Sequence, residues 1–317
     1  MTSGMTNGRT HASATGATRD DEEIPTTPVR LVCIDVDGTL VGAAGTVHPA
    51  VWAATERLRA AGVRLALCTG RPGFGHTRAF ASRLDDDGWH IFQNGASIVH
   101  ANGGGSRSAG LSDATVDALL AQARATGHTL ELYGDDDYAV QPGPVDTADR
   151  ARRHAALLGM TYPELAFDEY ARARRGRIVR AQWMMAHDEA AAMLASPPPG
   201  ARLVPSGSPV MPETTFISVL APEVDKVVGV CQVAAAYDVP LAAVMFVGDG
   251  ANDAAAMAAV GAEGGWPIAM ANAEPEALAV ARRVVGHVDD GGLADAMTLA
   301  LRSQHVPAPD PLAHDAR

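Results

Sequence analysis

Arg30-Leu31-Val32-Cys33-Ile34-Asp35-Val36-Asp37-Gly38-Thr39-Leu40 is the stretch on which the fold turns. A short apolar run stops at two aspartates and a glycine. Such a run, bounded by turn residues, predicts a strand buried on both faces, as in a parallel sheet. Open parallel sheets bind ligands beyond the carboxyl ends of their strands, which is where Asp35 and Asp37 stand. Gly38 permits the chain to turn at once. An Asp-Gly pair is also the mark of an ordinary tight turn. A calcium loop is excluded, because Thr39 and Val41 occupy positions that would need oxygen-rich ligands.

Working outward, strands and helices alternate. Pro49 opens a helix on which Val51, Leu58 and Ala61 share a face, and Gly62 closes it. Val63 to Cys68 is a second strand, Arg71-Pro72 begins a further helix, and His90 to Phe92 is a short third strand running into Gln93-Asn94-Gly95-Ala96. After Ala96 the texture changes. Asn102-Gly103-Gly104-Gly105 signals a hairpin, and period-two strands follow at Thr129 to Tyr133 and Tyr138 to Gln141. Arg177 to Met185 reads as a strand and Asp188 to Ala195 as a helix, ending in a proline-rich stretch at Pro197. The helix-strand alternation then resumes with a Val227 to Tyr237 helix, an Ala243 to Val247 strand, an Asp253 to Val260 helix and a Pro267 to Met270 strand. The expected fold class is therefore α/β: a doubly wound, Rossmann-like parallel sheet core with an inserted α+β domain. Residues 29–96 and 219–302 form the core, 97–218 the insertion, 1–28 a disordered leader and 303–317 a loose tail.

Three further strand ends and helix starts carry polar residues. Thr69-Gly70-Arg71 follows the second strand, where a hydroxyl and free backbone N–H groups could contact a phosphate, or Thr69 could simply cap a helix. Gly248-Asp249-Gly250-Ala251-Asn252-Asp253 follows a later strand and brings two carboxylates and an amide. Hard oxygen donors of this kind suit Mg²⁺, and Asn252 or Asp253 could equally cap the next helix. Lys226 is the third feature. It is the only lysine in a chain with 25 basic residues, so arginine serves at every other basic position. A lysine presents a compact point charge on a thin stem, which suits a crowded phosphate site better than a planar fork.

Composition narrows the partners. The chain has 317 residues, 47% of them hydrophobic, and a formal net charge of −12, which disfavours a sequence-independent grip on nucleic acid or anionic lipid. No apolar run approaches the length of a membrane helix, and the N-terminal stretch has no apolar core resembling a signal peptide. Cys33, Cys68 and Cys231 are too few and scattered for a disulfide framework or zinc site, which fits a reducing cytoplasm. The Arg172-Ala173-Arg174-Arg175-Gly176-Arg177 run and Asp135-Asp136-Asp137 read as solvated surface.

The order Asp35-Val36-Asp37-Gly38-Thr39-Leu40, Cys68-Thr69-Gly70-Arg71, a lysine opening a helix, then Gly248-Asp249-Gly250-Ala251-Asn252-Asp253 resembles the haloacid dehalogenase superfamily, the aspartate-nucleophile phosphatases. Asn94-Gly95-Ala96, the α+β insertion and Ala269-Met270-Ala271-Asn272-Ala273 resemble its Cof-type sugar-phosphate phosphatase branch. Val227 stands where a glycine commonly follows the lysine, and Asp289-Asp290-Gly291-Gly292 where a Glu-Asp-Gly-Val pattern is frequent. The resemblance covers about residues 29 to 300. It implies Asp35 as nucleophile and Asp37 as general acid and base. It implies Mg²⁺ held by Asp35, the Asp37 carbonyl and Asp249, with Asp253 in support. Thr69, Gly70, Lys226 and Asn252 would bind the phosphoryl group, and the insertion would be a cap that closes over the site. The implied partner is a small phosphorylated metabolite, without nucleic acid or membrane. A phosphohexomutase and a non-catalytic sugar-phosphate sensor are the alternatives.

Overall fold

The structure, a computed structural model, describes residues 24–141, 145–163, 166–207 and 211–305. β1 (Leu31–Ile34) is followed by α1 (Pro49–Ala60), β2 (Arg64–Leu67), α2 (His76–Leu84) and the pair β3 (Trp89–Phe92) and β4 (Ser97–His100). Next come α3 (Asp113–Thr126), β5 (Thr129–Tyr133), β6 (Tyr138–Val140), α4 (Val145–Leu157), α5 (Phe167–Ala173), β7 (Arg180–Met185), α6 (His187–Leu194), β8 (Arg202–Ser206) and β9 (Thr215–Leu220). The chain then returns through α7 (Lys226–Ala236), β10 (Val244–Gly248), α8 (Ala254–Ala262), β11 (Trp266–Ala269), α9 (Pro275–Val280), β12 (Arg283–Val284) and α10 (Gly292–Ser303).

The core sheet has the order β12-β11-β10-β1-β2, with every pair parallel. Alternation along β1 explains the double winding. Val32 and Ile34 join one apolar cluster with Val51 and Leu58 of α1 and Leu293 and Met297 of α10. Leu31 and Cys33 join the opposite cluster with Val230 and Val233 of α7 and Met257 of α8. Both faces are thus covered, and each fully buried Leu, Ile or Val contributes about 1.5–3 kcal/mol.

The second sheet has the order β6-β5-β7-β9-β8, antiparallel throughout, so the α+β insertion into a parallel core is present. One face packs on Leu119 of α3, Tyr170 of α5 and Met193 of α6, centred on Trp183. The opposite face includes a buried Glu131, which accepts hydrogen bonds from Tyr133 Oη (2.6 Å) and Gln182 Nε2 (2.8 Å). Burial works against the Glu131 charge, but His154 and these donors outweigh it and lower the carboxyl pKa.

Several expectations require correction. α2 begins at His76 rather than Arg71, because Gly75 takes a left-handed φ of 62° ahead of the helix. β3 pairs antiparallel with β4, and joins the core sheet through the isolated Cys68–Ile91 bridge rather than as a full ladder strand. The hairpin expected around Asn102 is present as an irregular one, with the Val99–Ser106 bridge flanked by His100 N–H to Gly105 O at 3.0 Å and Arg107 N–H to Ile98 O at 2.8 Å. The second sheet runs on to Leu220, while Ser97 still pairs with Phe92, so the insertion lies later in the chain than residues 97–218. Ile24 packs on the core and Pro25 is buried, so the end of the expected leader is folded. Ser303 is a buried helix residue whose Oγ accepts from the Val29 N–H at 3.0 Å. Residues 1–23 and 306–317 lie outside the described residues.

The Asp135–Asp137 turn is built in rather than merely solvated. Asp135 accepts from the hydroxyls of Ser97, Ser106 and Ser108, and Asp137 from Tyr170 Oη and Arg174. In the arginine run, Arg175 reaches Asp117 at 2.8 Å while remaining half exposed. Cys33 and Cys68 are buried and Cys231 is exposed, all three as free thiols.

Candidate active site

β1 and β10 end side by side, and the loops leaving them bring Asp35, Asp37, Asp249 and Asp253 to one end of the sheet. Asp35 continues the strand ladder by donating its N–H to Val247 O at 3.0 Å. The next turn depends on Gly38, which has φ 77°. A Cβ built there would stand 2.0 Å from Asp249 Oδ2, so only glycine allows the two loops to approach this closely. Thr39 Oγ1 donates to Asp249 Oδ1 at 2.8 Å, and Asn272 Nδ2 donates to Gly38 O at 2.8 Å.

Lys226 opens α7, whose Asp225 cap accepts the Val228 N–H. Its ammonium is buried between Asp35 Oδ1 at 2.8 Å and Asp253 Oδ1 at 2.6 Å. Burial opposes that charge, but Asp253 and Asp35 more than offset it and raise the pKa above that of an ordinary lysine. Asp253 Oδ2 accepts the N–H groups of Asp249 and Gly250 at 3.1 and 3.0 Å. It thereby organises the loop while its Oδ1 holds the Lys226 ammonium. Carboxylate oxygens of Asp35, Asp249 and Asp253 all lie within 4.8 Å of one another. Burial drives the Asp35 carboxyl well above the usual range against the pull of Lys226, and Asp253 and Asp249 add to it. Burial likewise pushes Asp249 up to about 6. Three buried or half-buried carboxylates sharing one lysine have too little positive charge nearby. A small divalent cation with hard oxygen preference fits that donor set.

Thr69 is buried beyond β2, and its Oγ1 accepts the Arg71 N–H at 3.1 Å, while Gly70 lies against Asn94. Asn252 Nδ2 is 3.5 Å from Asn94 Oδ1. Asn94 holds a left-handed φ of 57°, and Gly95 brings its Cα against the Asp225 carbonyl at the start of α7. Lys226 and Asn252 share a cavity of about 190 Å³ with Asn94, Arg202 and Val204. A larger groove of about 380 Å³, lined by Gly62, Arg64 and Asp85, lies at the start of β2, the opposite end of the sheet from the carboxylates.

The side chain of Asp37 departs from the carboxylate cluster. Arg71 clamps it with both prongs, Nε to Oδ2 at 2.9 Å and Nη2 to Oδ1 at 2.5 Å. Sequence reasoning quotes Arg71 in Thr69-Gly70-Arg71 and Asn272 in Ala269–Ala273 but gives neither a role, although the Asn272 amide links Gly38 to Asp249. A positive residue following a strand-end Thr-Gly was the available signal for the first.

The second sheet docks onto this end of the core. Arg180 donates to Gly70 O at 2.9 Å, Gln93 Nε2 to Gly134 O at 3.0 Å, and the His76 N–H to Leu158 O at 3.0 Å. Phe74 stacks on Tyr138 with ring centroids 5.8 Å apart.

Against known families, residues 32–171 and 203–297 match the model for haloacid dehalogenase-like hydrolases. The chain belongs to this family. It is accordingly a hydrolase by descent, and the parallel core with an inserted domain is the arrangement of its solved relatives. A protein from Geobacillus kaustophilus superposes with a TM-score of 0.71 at 22% identity, covering 86% of this chain and 99% of that one. A HAD subclass IIB sugar phosphatase, BT4131, gives 0.69 at 21% identity, covering 85% and 98%. BT1666 from Bacteroides thetaiotaomicron, described among phosphatases of the HAD superfamily, gives 0.69 at 20%, covering 91% and 100%. No curated protein matches. Among the described residues, no helix is long and apolar enough to cross a membrane.

Proposed function

We propose that this hydrolase is a Mg²⁺-dependent phosphomonoesterase acting on a small phosphorylated metabolite, a sugar phosphate in the first instance. The observation that carries this reading is the buried Lys226 ammonium held between Asp35 and Asp253 beside Asp249. A cation and several carboxylates converging at one strand end suit phosphoryl transfer, where alignment and charge neutralisation are most of the work. Asp35, the Asp37 carbonyl and Asp249 would hold the metal, with Asp253 fixing their loop, and the metal would neutralise charge on the phosphoryl oxygens.

Asp35 attacks phosphorus while the bond to the leaving alcohol breaks, and Asp37 delivers its proton to that oxygen. Asp37, now a carboxylate, takes a proton from water as the water attacks the aspartyl-phosphate. The bond from phosphorus to Asp35 breaks, and inorganic phosphate leaves. Lys226 orients Asp35 and supplies positive charge, Arg71 fixes where the Asp37 carboxylate points, and Thr69, Gly70 and Asn252 contact the phosphoryl oxygens. The docked second sheet serves as a cap, restricting water and selecting the leaving group.

Phosphate release from an aryl phosphate and a panel of sugar phosphates, with and without Mg²⁺, tests this reading. Release should require the metal and fall at least about 10³-fold in Asp35→Asn, the scale of losing a nucleophile. Activity that survives the substitution or ignores chelator would sink the mechanism.

A further inference from the structure

A single row crosses the second sheet on the side facing the core. Tyr138 pairs with Tyr133, and Tyr133 pairs with Arg180. One step beyond the Ala181–Val219 pair lies Leu220, which pairs with Arg202. Directly paired residues share a face of an antiparallel sheet, so the two arginines flank Leu220, two strand spacings apart, roughly 10 Å between backbones.

Both arginines have unmet demands. The Nε of each is buried and lacks a hydrogen-bond partner. Arg180 is only 3% exposed, yet donates to just one main-chain oxygen, that of Gly70. Arg202 donates to Val224 O and lines the same cavity as Lys226 and Asn252. Among the described residues, neither guanidinium has a carboxylate within salt-bridge distance. Tyr133 lies beneath Arg180, 4.1 Å from ring centroid to guanidinium carbon, and its hydroxyl is already given to Glu131. Glu131 is near enough to act on Arg180 through its charge, but its oxygens are taken up by Tyr133, Gln182 and His154, so the buried guanidinium N–H that lacks a partner is satisfied best by an anion, through a charge-assisted hydrogen bond. Arg180 meets the core at Gly70, beside Asn94, and Asn94 borders the Arg202 cavity, so both face the space beyond the phosphoryl-binding residues.

We infer that Arg180 and Arg202 form an anion-reading pair, and that the leaving alcohol of the preferred substrate carries an acidic group of its own, a carboxylate or a second phosphate. The inference rests on the phosphatase reading for where the leaving group sits.

The test compares matched substrates that differ in one charge: glucose 6-phosphate with 6-phosphogluconate, and fructose 6-phosphate with fructose 1,6-bisphosphate. In the wild type, kcat/KM should favour the more anionic member of at least one pair by about tenfold or more, the scale of one charge-assisted hydrogen bond. The first pair reports a carboxylate and the second a phosphate. Arg180→Met and Arg202→Met should each cut that preference at least about fivefold, mainly through KM. The same pairs titrated calorimetrically into Asp35→Asn with Mg²⁺ should show the same order of affinity, a readout that needs no turnover. Equal kcat/KM and equal affinity within both pairs would overturn the inference, as would variants that weaken both members alike. Failure of the phosphatase reading would show separately, as no phosphate released even from an aryl phosphate.

Discussion

The Nζ of Lys226 lies 2.6 Å from Asp253 Oδ1, a buried ion pair joining the first residue of α7 to the residue just before α8. It ties the two loops that frame the Asp35 carboxylate. The ammonium sits within 2.8 Å of both carboxylates, an arrangement that suits a compact point charge on a thin stem better than a planar fork. Lys226→Arg should therefore lower kcat/KM at least about 100-fold. Lys226→Met should leave two buried carboxylates unpaired and cost about 3–5 kcal/mol, read from denaturant unfolding. Full activity in Lys226→Arg would show the point-charge explanation of the single lysine to be wrong.

Gly38→Ala should damage the site through geometry alone. The new Cβ would fall on Asp249 Oδ2 and sit at a strained positive φ. Its expected signature is a smaller Mg²⁺-induced rise in Tm, alongside a loss of about 1–3 kcal/mol in metal-free stability. A thermal-shift series against Mg²⁺ checks this, with Asp249→Asn as the control that should abolish the shift. An unchanged metal response in Gly38→Ala would mean that the two loops can separate without consequence.

The Arg71 clamp on Asp37 predicts a dependence on leaving group. Asp37→Asn should slow an alkyl phosphate, which needs a proton on its departing oxygen, at least about tenfold more than a nitrophenyl phosphate, which does not. Arg71→Met should give the same pattern in weaker form, since it loosens the acid without removing it. Equal loss on both substrates would place Asp37 outside proton transfer.

His90 gives the core a sensitivity to acid. It is fully buried, with Nδ1 accepting the Leu67 N–H at 3.1 Å and Nε2 against Asp85 O at 2.9 Å. Burial holds its pKa down at about 4, despite the opposing Asp85 carbonyl. A base with a depressed folded pKa contributes stability that is fully present above its unfolded value near 6.5 and is lost as pH falls toward 4. The loss amounts to roughly 3 kcal/mol. Unfolding curves of wild type and His90→Asn from pH 7 to 4 should converge as the pH drops, and parallel curves would show that His90 does not titrate there.

How far the sequence alone reaches depends on where side-chain pattern controls structure. β1 and β10 were readable because both are apolar runs cut off by aspartates, and Lys226, Asp249 and Asp253, which meet around Asp35, all follow from strand ends or helix starts. α4 is not readable in the same way: its run of Asp, Arg and Ala carries a buried face made mainly of small residues, Ala151 and Ala155, and its place against β7 is a tertiary effect. β9 is a short run buried on both faces, and its membership of the second sheet depends on pairing with β7, about 35 residues earlier. Arg71, Arg180 and Arg202 were hidden for a different reason. In a chain with 24 arginines, nothing local distinguishes Arg180 and Arg202, and only its place after a strand-end Thr-Gly marks Arg71.

Three of the polar bonds between the second sheet's domain and the core end on main-chain oxygens, those of Gly70, Gly134 and Leu158. A point substitution can delete a donor but cannot delete a carbonyl, so the landing points persist through any drift in residue identity at 70, 134 or 158. The side chains around them can then vary with the shape of the leaving group while the two domains keep their seating. Side-chain variation around the site is accordingly open to this scaffold without loss of these three landing points.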